Sequence, residues 1–286
     1  MRRIPHPSLG LLLSVVLAGV SFGGDMHVLT DDLSFEESSS GIQTVRVESV
    51  NGYIRVIGTD GEQIEIQAHR VVKSDSEERG SEYRDQFVPD VSRSGEVLEI
   101  ETLRPGKLKW TKLHVESASM DYEIRMPRHL QCNAQTVNGD VEFSEITGGV
   151  WGESTNGDIE ARSEMGLLNG LVARTTNGEI RAEVAGIGSE SQLAAVNGGV
   201  RLKIRESLSG PIEAETVNGS LTIELPPEAG FELSALVAVG GSIRSDWGVV
   251  SEKRIVGKSL HTTVNGGGPE IKLNTVNGSI KIRKQP

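Results

Sequence analysis

The chain of 286 residues has few cysteines, few aromatic side chains and no dense basic stretch, and each scarcity excludes a class of protein. Its single cysteine, Cys132, cannot form an internal disulfide. Its six histidines are scattered without ligand spacing, which excludes a Cys/His zinc site. No residue is assigned to a metal or a cofactor from the sequence. The 29 Lys and Arg residues are outnumbered by 40 Asp and Glu residues, which gives a net charge of −11. Nucleic-acid binding is therefore not expected, because phosphate contacts need clustered basic side chains.

A long apolar run occurs only near the N-terminus. Arg2 and Arg3 precede an apolar run at 9–20 and small residues at 21–24, which is the order of a secretory signal. We predict a signal peptide at 1–23 and an exported protein that is periplasmic, extracellular or associated with the cell envelope. The run is short for a membrane span, and the alternative is an uncleaved N-terminal anchor.

Asn-Gly pairs dominate the rest of the chain. Nine of the eleven asparagines precede glycine, in contexts such as TVNGDVEF, TTNGEIRA and TVNGSIKI, and AVGGSIRS carries Gly240 in the asparagine place. From Asn138 to Gly240 the motif recurs every 18 to 22 residues, a period typical of stacked repeats. A second glycine corner falls within each period. The predicted repeat corners are Asn51, Gly52, Asn138, Gly139, Asn156, Gly157, Asn177, Gly178, Asn197, Gly198, Asn218, Gly219, Asn265, Gly266, Asn277 and Gly278.

These features predict an all-β fold, a single-stranded parallel β-helix (a β-solenoid) with coils of about 20 residues that carry a TVNG-type motif. The alternative is an antiparallel meander with Asn-Gly hairpin turns. The fixed period favours the solenoid, because stacked coils place equivalent residues over one another about 4.8 Å apart. We attribute the glycine of each pair to a positive φ at a sharp corner.

Alternation by two residues assigns a direction to each column of side chains. We expect the pairs three and five residues after each asparagine to form the core: Val141/Phe143, Ile159/Ala161, Ile180/Ala182, Val200/Leu202, Leu221/Ile223 and Ile280/Ile282. The residues between them should face solvent: Glu142, Glu160, Arg181, Arg201, Thr222, Arg244 and Lys281. An inward hydroxyl row (Thr136, Ser154, Thr175, Thr216 and Thr275) is expected to exchange hydrogen bonds with the asparagine row.

The residue just before each asparagine is Val or Thr. The set comprises Val137, Thr155, Thr176, Val196, Val217, Val239, Val264 and Val276. Strict alternation exposes these side chains as a stripe along the stack, which would mark a surface for a partner or for self-association. The alternative is that the corner turns them inward or that another segment covers them.

The regular repeats begin after a less regular segment. The stretch GIQTVRVESVNGYIRVIG at 41–58 resembles a first rung, and the charged stretch at 74–86 indicates a surface loop or a short helix. The predicted organisation is a signal peptide at 1–23, an irregular β segment and cap at 24–130, and regular solenoid repeats at 131–286.

The repeated [TS]-[VT]-N-G-[DES]-[IVL] motif, with its SVNGYIRVIG opening and DYEIRMP strand, resembles the DUF4097 family. Members are also described as candidate adhesins or toastrack-type β-repeat proteins. The resemblance covers about 41–283 and implies a single-stranded β-helix in exported or envelope-associated bacterial proteins. It implies no catalytic residues.

Three acidic residues occupy equivalent positions two residues after the asparagine. Asp140, Asp158 and Glu179 would stack in one column, where carboxylates repel unless a cation bridges them. The interpretations are a solvated edge, a weak Ca²⁺ row, or paired acids of a glycoside hydrolase. On the neighbouring column, Glu160 and Arg181 are expected to form an ion pair between coils.

Other residue types give no catalytic constellation. The three tryptophans, Trp110, Trp151 and Trp247, are too few to line a long carbohydrate cleft and are expected to pack partly buried. Cys132 is expected to be an inert buried thiol.

We therefore predict a non-catalytic, exported β-solenoid that acts as an adhesin-like or cell-envelope-associated binding scaffold. Its expected partner is an envelope component or glycan, or another protein, with self-association included. The alternatives are a carbohydrate-active β-helix enzyme that uses stacked carboxylates, and a self-assembling structural protein.

Overall fold

A computed structural model describes residues 15–17, 26–105, 115–166, 169–248, 252–253 and 257–286. The predicted signal peptide lies outside these ranges except for Val15–Leu17, a short strand. Within the described ranges, no helix has the length and apolarity to cross a membrane.

The described chain consists of strands and one helix, which confirms the predicted all-β class. The helix is α1 (Glu77–Arg84), within the charged stretch at 74–86. The strands are β1 (Val15–Leu17), β2 (His27–Ser38), β3 (Thr44–Glu48), β4 (Ile54–Thr59), β5 (Gln63–Ser74), β6 (Pro89–Ser94), β7 (Val97–Thr102), β8 (Val115–Pro127), β9 (Gln131–Asn138), β10 (Val141–Ser144), β11 (Val150–Asn156), β12 (Ile159–Ser163), β13 (Leu171–Asn177), β14 (Ile180–Ile187), β15 (Ser191–Asn197), β16 (Val200–Leu208), β17 (Ile212–Asn218), β18 (Leu221–Leu225), β19 (Phe231–Val239), β20 (Ile243–Ser245), β21 (Glu252–Lys253), β22 (Lys258–Val264), β23 (Glu270–Asn277) and β24 (Ile280–Lys284).

The strands form two twelve-stranded sheets with the core between them. The first sheet has the order β1-β2-β5-β8-β4-β10-β12-β14-β16-β18-β24-β20, and the second has the order β21-β22-β19-β23-β17-β15-β13-β11-β9-β3-β7-β6. A rung is one strand of the second sheet, a corner, and the next strand in the first sheet, as in β9 and β10. Successive rungs pair in parallel with equivalent residues in register, so that Asn138, Asn156 and Asn177 lie at matched positions.

The buried columns follow the predicted alternation. Every member of the six core pairs is at most 4% exposed, from Val141 and Phe143 to Ile280 and Ile282. One outward assignment is wrong, because Thr222 is 8% exposed. Its register neighbours are Arg201 and Lys281, and its short side chain lies between these two long ones.

Long antiparallel strands close the N-terminal end of the first sheet. Strand β5 pairs with β2 on one side and with β8 on the other. A buried ion pair holds helix α1 against them: Arg70 Nη2 lies 2.8 Å from Asp31 Oδ2, and Arg70 Nη1 donates to the carbonyls of Arg84 and Phe87. Both side chains of the pair are buried. The two carbonyl contacts satisfy further N–H groups of Arg70, which a guanidinium removed from water requires.

The C-terminal end departs from chain order. Strand β24 lies between β18 and β20, and β23 lies between β17 and β19, so the last rung in sequence inserts before the β19–β20 rung. In that outermost rung Val239, not Gly240, is in register with Asn277, and this corrects the sequence alignment. Because Ile243 is in register with Ile280, Gly240 is an extra residue in this corner, at φ +65°.

Asn265 and Gly266 also depart from the repeat. They form the turn after β22, which pairs antiparallel with β19, and Asn265 has φ +46°. Its Nδ2 donates to the carbonyls of Pro227 and Ala229 instead of to another asparagine. The predicted stripe member Val264 is buried, because it lies opposite Phe231 in this antiparallel pair.

Candidate functional site: the outer face of the second sheet

The corner asparagines form one continuous hydrogen-bonded ladder at the edge of the second sheet. Each Nδ2 donates to the Oδ1 of the asparagine on the preceding rung, over 2.7–3.0 Å, through Asn138, Asn156, Asn177, Asn197, Asn218 and Asn277. At the first rung Asn51 accepts from Asn138 and donates to the carbonyl of Ala118. Identical amides stack in this way because each both donates and accepts. Of the predicted corner asparagines, the structure brings these seven together and leaves out Asn265.

The glycine after each asparagine is required by close approach between rungs. A Cβ on Gly198 would lie 1.8 Å from the carbonyl oxygen of Gly178, and the equivalent distance from Gly278 to Gly219 is 1.7 Å. Among the corner glycines of the ladder, only Gly52 and Gly139 have a positive φ. The positive-φ explanation is therefore wrong for the remaining rungs.

The inward hydroxyl row bonds to backbone rather than to the asparagines. Thr175 Oγ1 donates to the carbonyl of Gly157 over 2.9 Å, and Thr216 Oγ1 donates to the carbonyl of Gly198 over 2.8 Å. Thr136, Ser154 and Thr275 make the same bond on their rungs. The predicted exchange between hydroxyls and amides is thus wrong, because each row is satisfied separately.

The column of acidic residues is used to bind backbone amides. Asp140 Oδ1 accepts from the N–H of Asp158, and Asp158 Oδ1 accepts from the N–H of Glu179, each over 2.8 Å. The second oxygen of Asp158 lies 2.8 Å from Arg181, whose other nitrogen pairs with Glu179. These bonds raise the pKa of Arg181 above its ordinary value. Carboxylates in these roles are structural acceptors that set the register between rungs.

The predicted ion pair between Glu160 and Arg181 is wrong. The two residues are opposite in register, but Glu160 pairs with Arg162 on its own strand. Arg181 instead pairs with the carboxylates of Asp158 and Glu179 at the corner. Within the described part of the chain, no group of three or more His, Cys, Asp and Glu side chains is arranged to hold a metal ion.

The residues before the asparagines form an exposed stripe on the second sheet. Val137, Val196, Val217 and Val276 are 38–41% exposed, and Thr155 and Thr176 are exposed with them. Val239 is 51% exposed but occupies the asparagine position of its rung, so Ala238 completes the stripe. We call this set, from Val137 through Thr155, Thr176, Val196, Val217 and Val276 to Ala238, the Val/Thr stripe.

A shallow trough runs along this stripe. It has a volume of about 550 Å³ and extends over six rungs, from β11 to β19. Alongside the stripe its walls carry Glu153, Arg174, Ala194, Glu215 and Asn274. Two charged wall residues are hydrogen-bonded to neighbours, Arg174 to Gln192 and Glu215 to Asn274, and Glu153 is the charged wall residue without a side-chain partner among the described residues. The surface left for a partner is therefore mainly apolar.

Sequence reasoning missed a second cavity on the same face. It has a volume of about 400 Å³ and is lined by Arg46, Val47, Glu48, Asn133, Gln135 and Trp151. The repeat alignment could have revealed this cavity. Arg46, Asn133 and Trp151 each lie five residues before the asparagine of their rung, and the register places Asn133 between the other two. Glu48 and Gln135 each lie three residues before their asparagine and are neighbours in register.

Cys132 and Trp247, two other residues that the sequence singled out, pack in the interior or against it. Cys132 is fully buried, and burial raises the pKa of its thiol far above the ordinary value. Trp247 packs edge-on against Phe231, with ring centroids 5.2 Å apart. Trp151 is half-buried on the outer face, and Trp110 lies outside the described residues.

Together, the two sheets, the ladder and the open outer face define an all-β, β-solenoid-like repeat protein. The chain belongs to the Toastrack DUF4097 family, whose family model matches residues 24–253. A comparison with curated proteins gives no match.

The solved structures that match this chain share little sequence with it. A candidate cell adhesion protein from Clostridium sporogenes is 12% identical over 90% of this chain and 100% of its own, with a TM-score of 0.35. A candidate adhesin from Parabacteroides distasonis is 10% identical over 91% and 98%, with a TM-score of 0.40. A candidate lipid binding protein from the same organism is 12% identical over 94% and 99%, with a TM-score of 0.37.

Proposed function

We propose that this protein is an exported, non-catalytic binding scaffold of the adhesin-like or cell-envelope-associated kind. The observation that carries the proposal is the outer face of the second sheet, where the Val/Thr stripe runs over seven rungs and the trough over six of them. A repeated face of this length matches an extended partner rather than a single small substrate. The partner is an envelope component or glycan, or another protein, and the acidic net charge of −11 does not favour nucleic acid.

The proposed architecture is a single-stranded parallel β-helix of TVNG-type coils at 131–286, preceded by an irregular β segment and cap at 24–130 and a signal peptide at 1–23. The parallel register of the asparagine-bearing strands supports the helix, and the long antiparallel strands β2, β5 and β8 support the cap. The roles of Asp140 and Asp158 as backbone acceptors support a non-catalytic reading of the acidic column.

Co-sedimentation with isolated cell-envelope fractions tests the proposal. The purified protein is mixed with peptidoglycan, with outer-membrane vesicles, or with buffer alone, and we expect saturable pelleting with one fraction. A Val196→Lys/Val217→Lys variant places two charges on the exposed stripe and should lose most of this pelleting, because apolar contact is replaced by ammonium groups that must be desolvated.

The matched control adds the same charge to the outer face of the first sheet. Gln63 and Gln67 are exposed on β5, so Gln63→Lys/Gln67→Lys should pellet like the unmodified protein. Absence of pelleting with every fraction, or equal loss in both double variants, contradicts the proposal. Concentration-dependent pelleting in buffer alone would identify self-association instead.

A further inference from the structure

The second cavity on the outer face has the dimensions of a small-ligand site. It lies on the three rungs that contain β3, β9 and β11, next to the end of the trough. Its volume of about 400 Å³ is within the range of ligand pockets in proteins, about 300–1,000 Å³. Three strands about 4.8 Å apart give it a length of about 10 Å, comparable to a disaccharide.

Apart from Arg46, the polar side chains in this cavity lack the partners that several equivalent residues have on later rungs. On later rungs the same two columns are internally bonded: Arg174 to Gln192, Lys272 to Glu213, and Asn274 to Glu215. In the cavity, the side chains of Glu48, Asn133, Gln135 and Trp151 make no hydrogen bond or ion pair with any described residue.

Three of these unpartnered side chains are held half-buried on rigid strands. Asn133, Gln135 and Trp151 are each shielded on one side and open to the cavity, while Glu48 is exposed at its rim. Register places Asn133 between Arg46 and Trp151, and Gln135 next to Glu48. Half-buried amides with unused donors and acceptors are preorganised to bind a polar ligand, because a bound group recovers their hydrogen bonds without ordering a loop.

The chemistry of the set matches a sugar. Each amide offers a donor pair and an acceptor, the Glu48 carboxylate accepts, and hydroxyl groups both donate and accept. The indole of Trp151 provides an apolar surface with a negatively polarised face, suited to the C–H face of a pyranose ring, and an N–H donor at its edge. Arg46 Nη1 lies 3.6 Å from the Glu99 carboxylate and Glu48 adds a second carboxylate, so these three side chains give the cavity no net positive charge that would select a phosphate or sulfate.

We propose that this cavity binds a neutral saccharide, with Trp151 beneath a sugar ring and Asn133, Gln135 and Glu48 bonding its hydroxyls. The inference rests on the proposed function, since it assigns a glycan subsite to the same binding face. Contact with the adjoining trough would let a longer chain continue along the stack.

Isothermal titration calorimetry with chitotetraose and cellotetraose tests the subsite directly. We expect the full-length protein to bind at least one of the two saturably. Trp151→Ala should weaken this binding at least tenfold by removing the stacking surface, and Gln135→Ala should weaken it several-fold. Gln192→Ala is the matched control, because Gln192 lies in the column of Trp151 two rungs away and should change the affinity less than twofold.

Circular dichroism melts establish that each variant is folded, and if Trp151→Ala is unfolded then Gln135→Ala decides. Binding of neither tetrasaccharide, or undiminished binding by the folded cavity variants, overturns the saccharide site. Co-sedimentation of the unmodified protein and the Trp151→Ala variant with envelope fractions distinguishes failure of the saccharide site from failure of the proposed function. Pelleting without tetrasaccharide binding retains the scaffold and rejects the subsite, whereas tetrasaccharide binding without pelleting does the reverse.

Discussion

The corner glycines give a quantitative prediction, because close approach and not backbone conformation requires them. In Gly198→Ala the new Cβ would lie 1.8 Å from the oxygen of Gly178, whereas real Cβ contacts are essentially never shorter than 3.0 Å. The two rungs must therefore separate by about 1 Å at this corner, because the backbone fixes the position of the new Cβ and the oxygen that it meets is itself a backbone atom.

The cost of this separation follows from the bonds that cross it. Gly178 N–H donates to Asn197 O over 3.2 Å and Ile180 N–H donates to Gly199 O over 3.0 Å, and each bond contributes about 1 kcal/mol net. Overpacking adds about 1–3 kcal/mol. Alanine also lowers the conformational entropy of the unfolded chain relative to glycine, which stabilises the folded protein by about 0.4–1 kcal/mol. We expect Gly198→Ala to lower the free energy of unfolding by about 2–5 kcal/mol.

Equilibrium urea unfolding followed by far-UV circular dichroism measures this loss. Gly199→Ala is the adjacent control, because its Cβ would lie 3.0 Å from Ser220 O with its next contact at 3.9 Å, and a change within about 1 kcal/mol is expected. Equal destabilisation by the two substitutions would refute the close-approach reasoning.

Three further predictions use the rows that surround these corners. Ala195 interrupts the inward hydroxyl row. In urea unfolding, Ala195→Thr should raise the free energy of unfolding by about 1 kcal/mol, because the new hydroxyl can donate to the carbonyl of Gly178. A loss of stability would show that the column lacks room for the larger side chain. Asn177→Ala should lower the stability of the fold about twice as much as Asn277→Ala, because the first removes two ladder bonds and the second removes one. Equal shifts of the melting temperature in the two variants would contradict a stabilising role of the ladder. Cys132 should resist a thiol reagent in the folded protein at pH 8 and react on unfolding in urea, since burial raises its pKa and hides the sulfur; fast labelling of the native protein would contradict its burial.

The candidate site was accessible to sequence reasoning only in part. The stripe before the asparagines follows from alternation, and four of its valines are exposed as that pattern predicts. The exception is Val264, which an antiparallel pairing buries; Val239 is exposed as predicted, although one extra corner residue places it at the asparagine position of its rung. The cavity at Trp151 was missed because its members come from three rungs, of which the first lies more than 80 residues earlier in the chain.

Local sequence patterns are enough to predict the all-β class, the alternation that fills the core, and the Asn-Gly corners. These features are local: a period of two sets the direction of a side chain, and a period of about 20 sets the repeat. The order of the rungs is set by the three-dimensional structure, because β24 inserts between β18 and β20 through long-range pairing that no local pattern encodes. The three-dimensional structure also shows why glycine follows asparagine, and that the acids of the corner bind backbone amides. Such contacts depend on distances between rungs, and those distances exist only after the sheets have assembled.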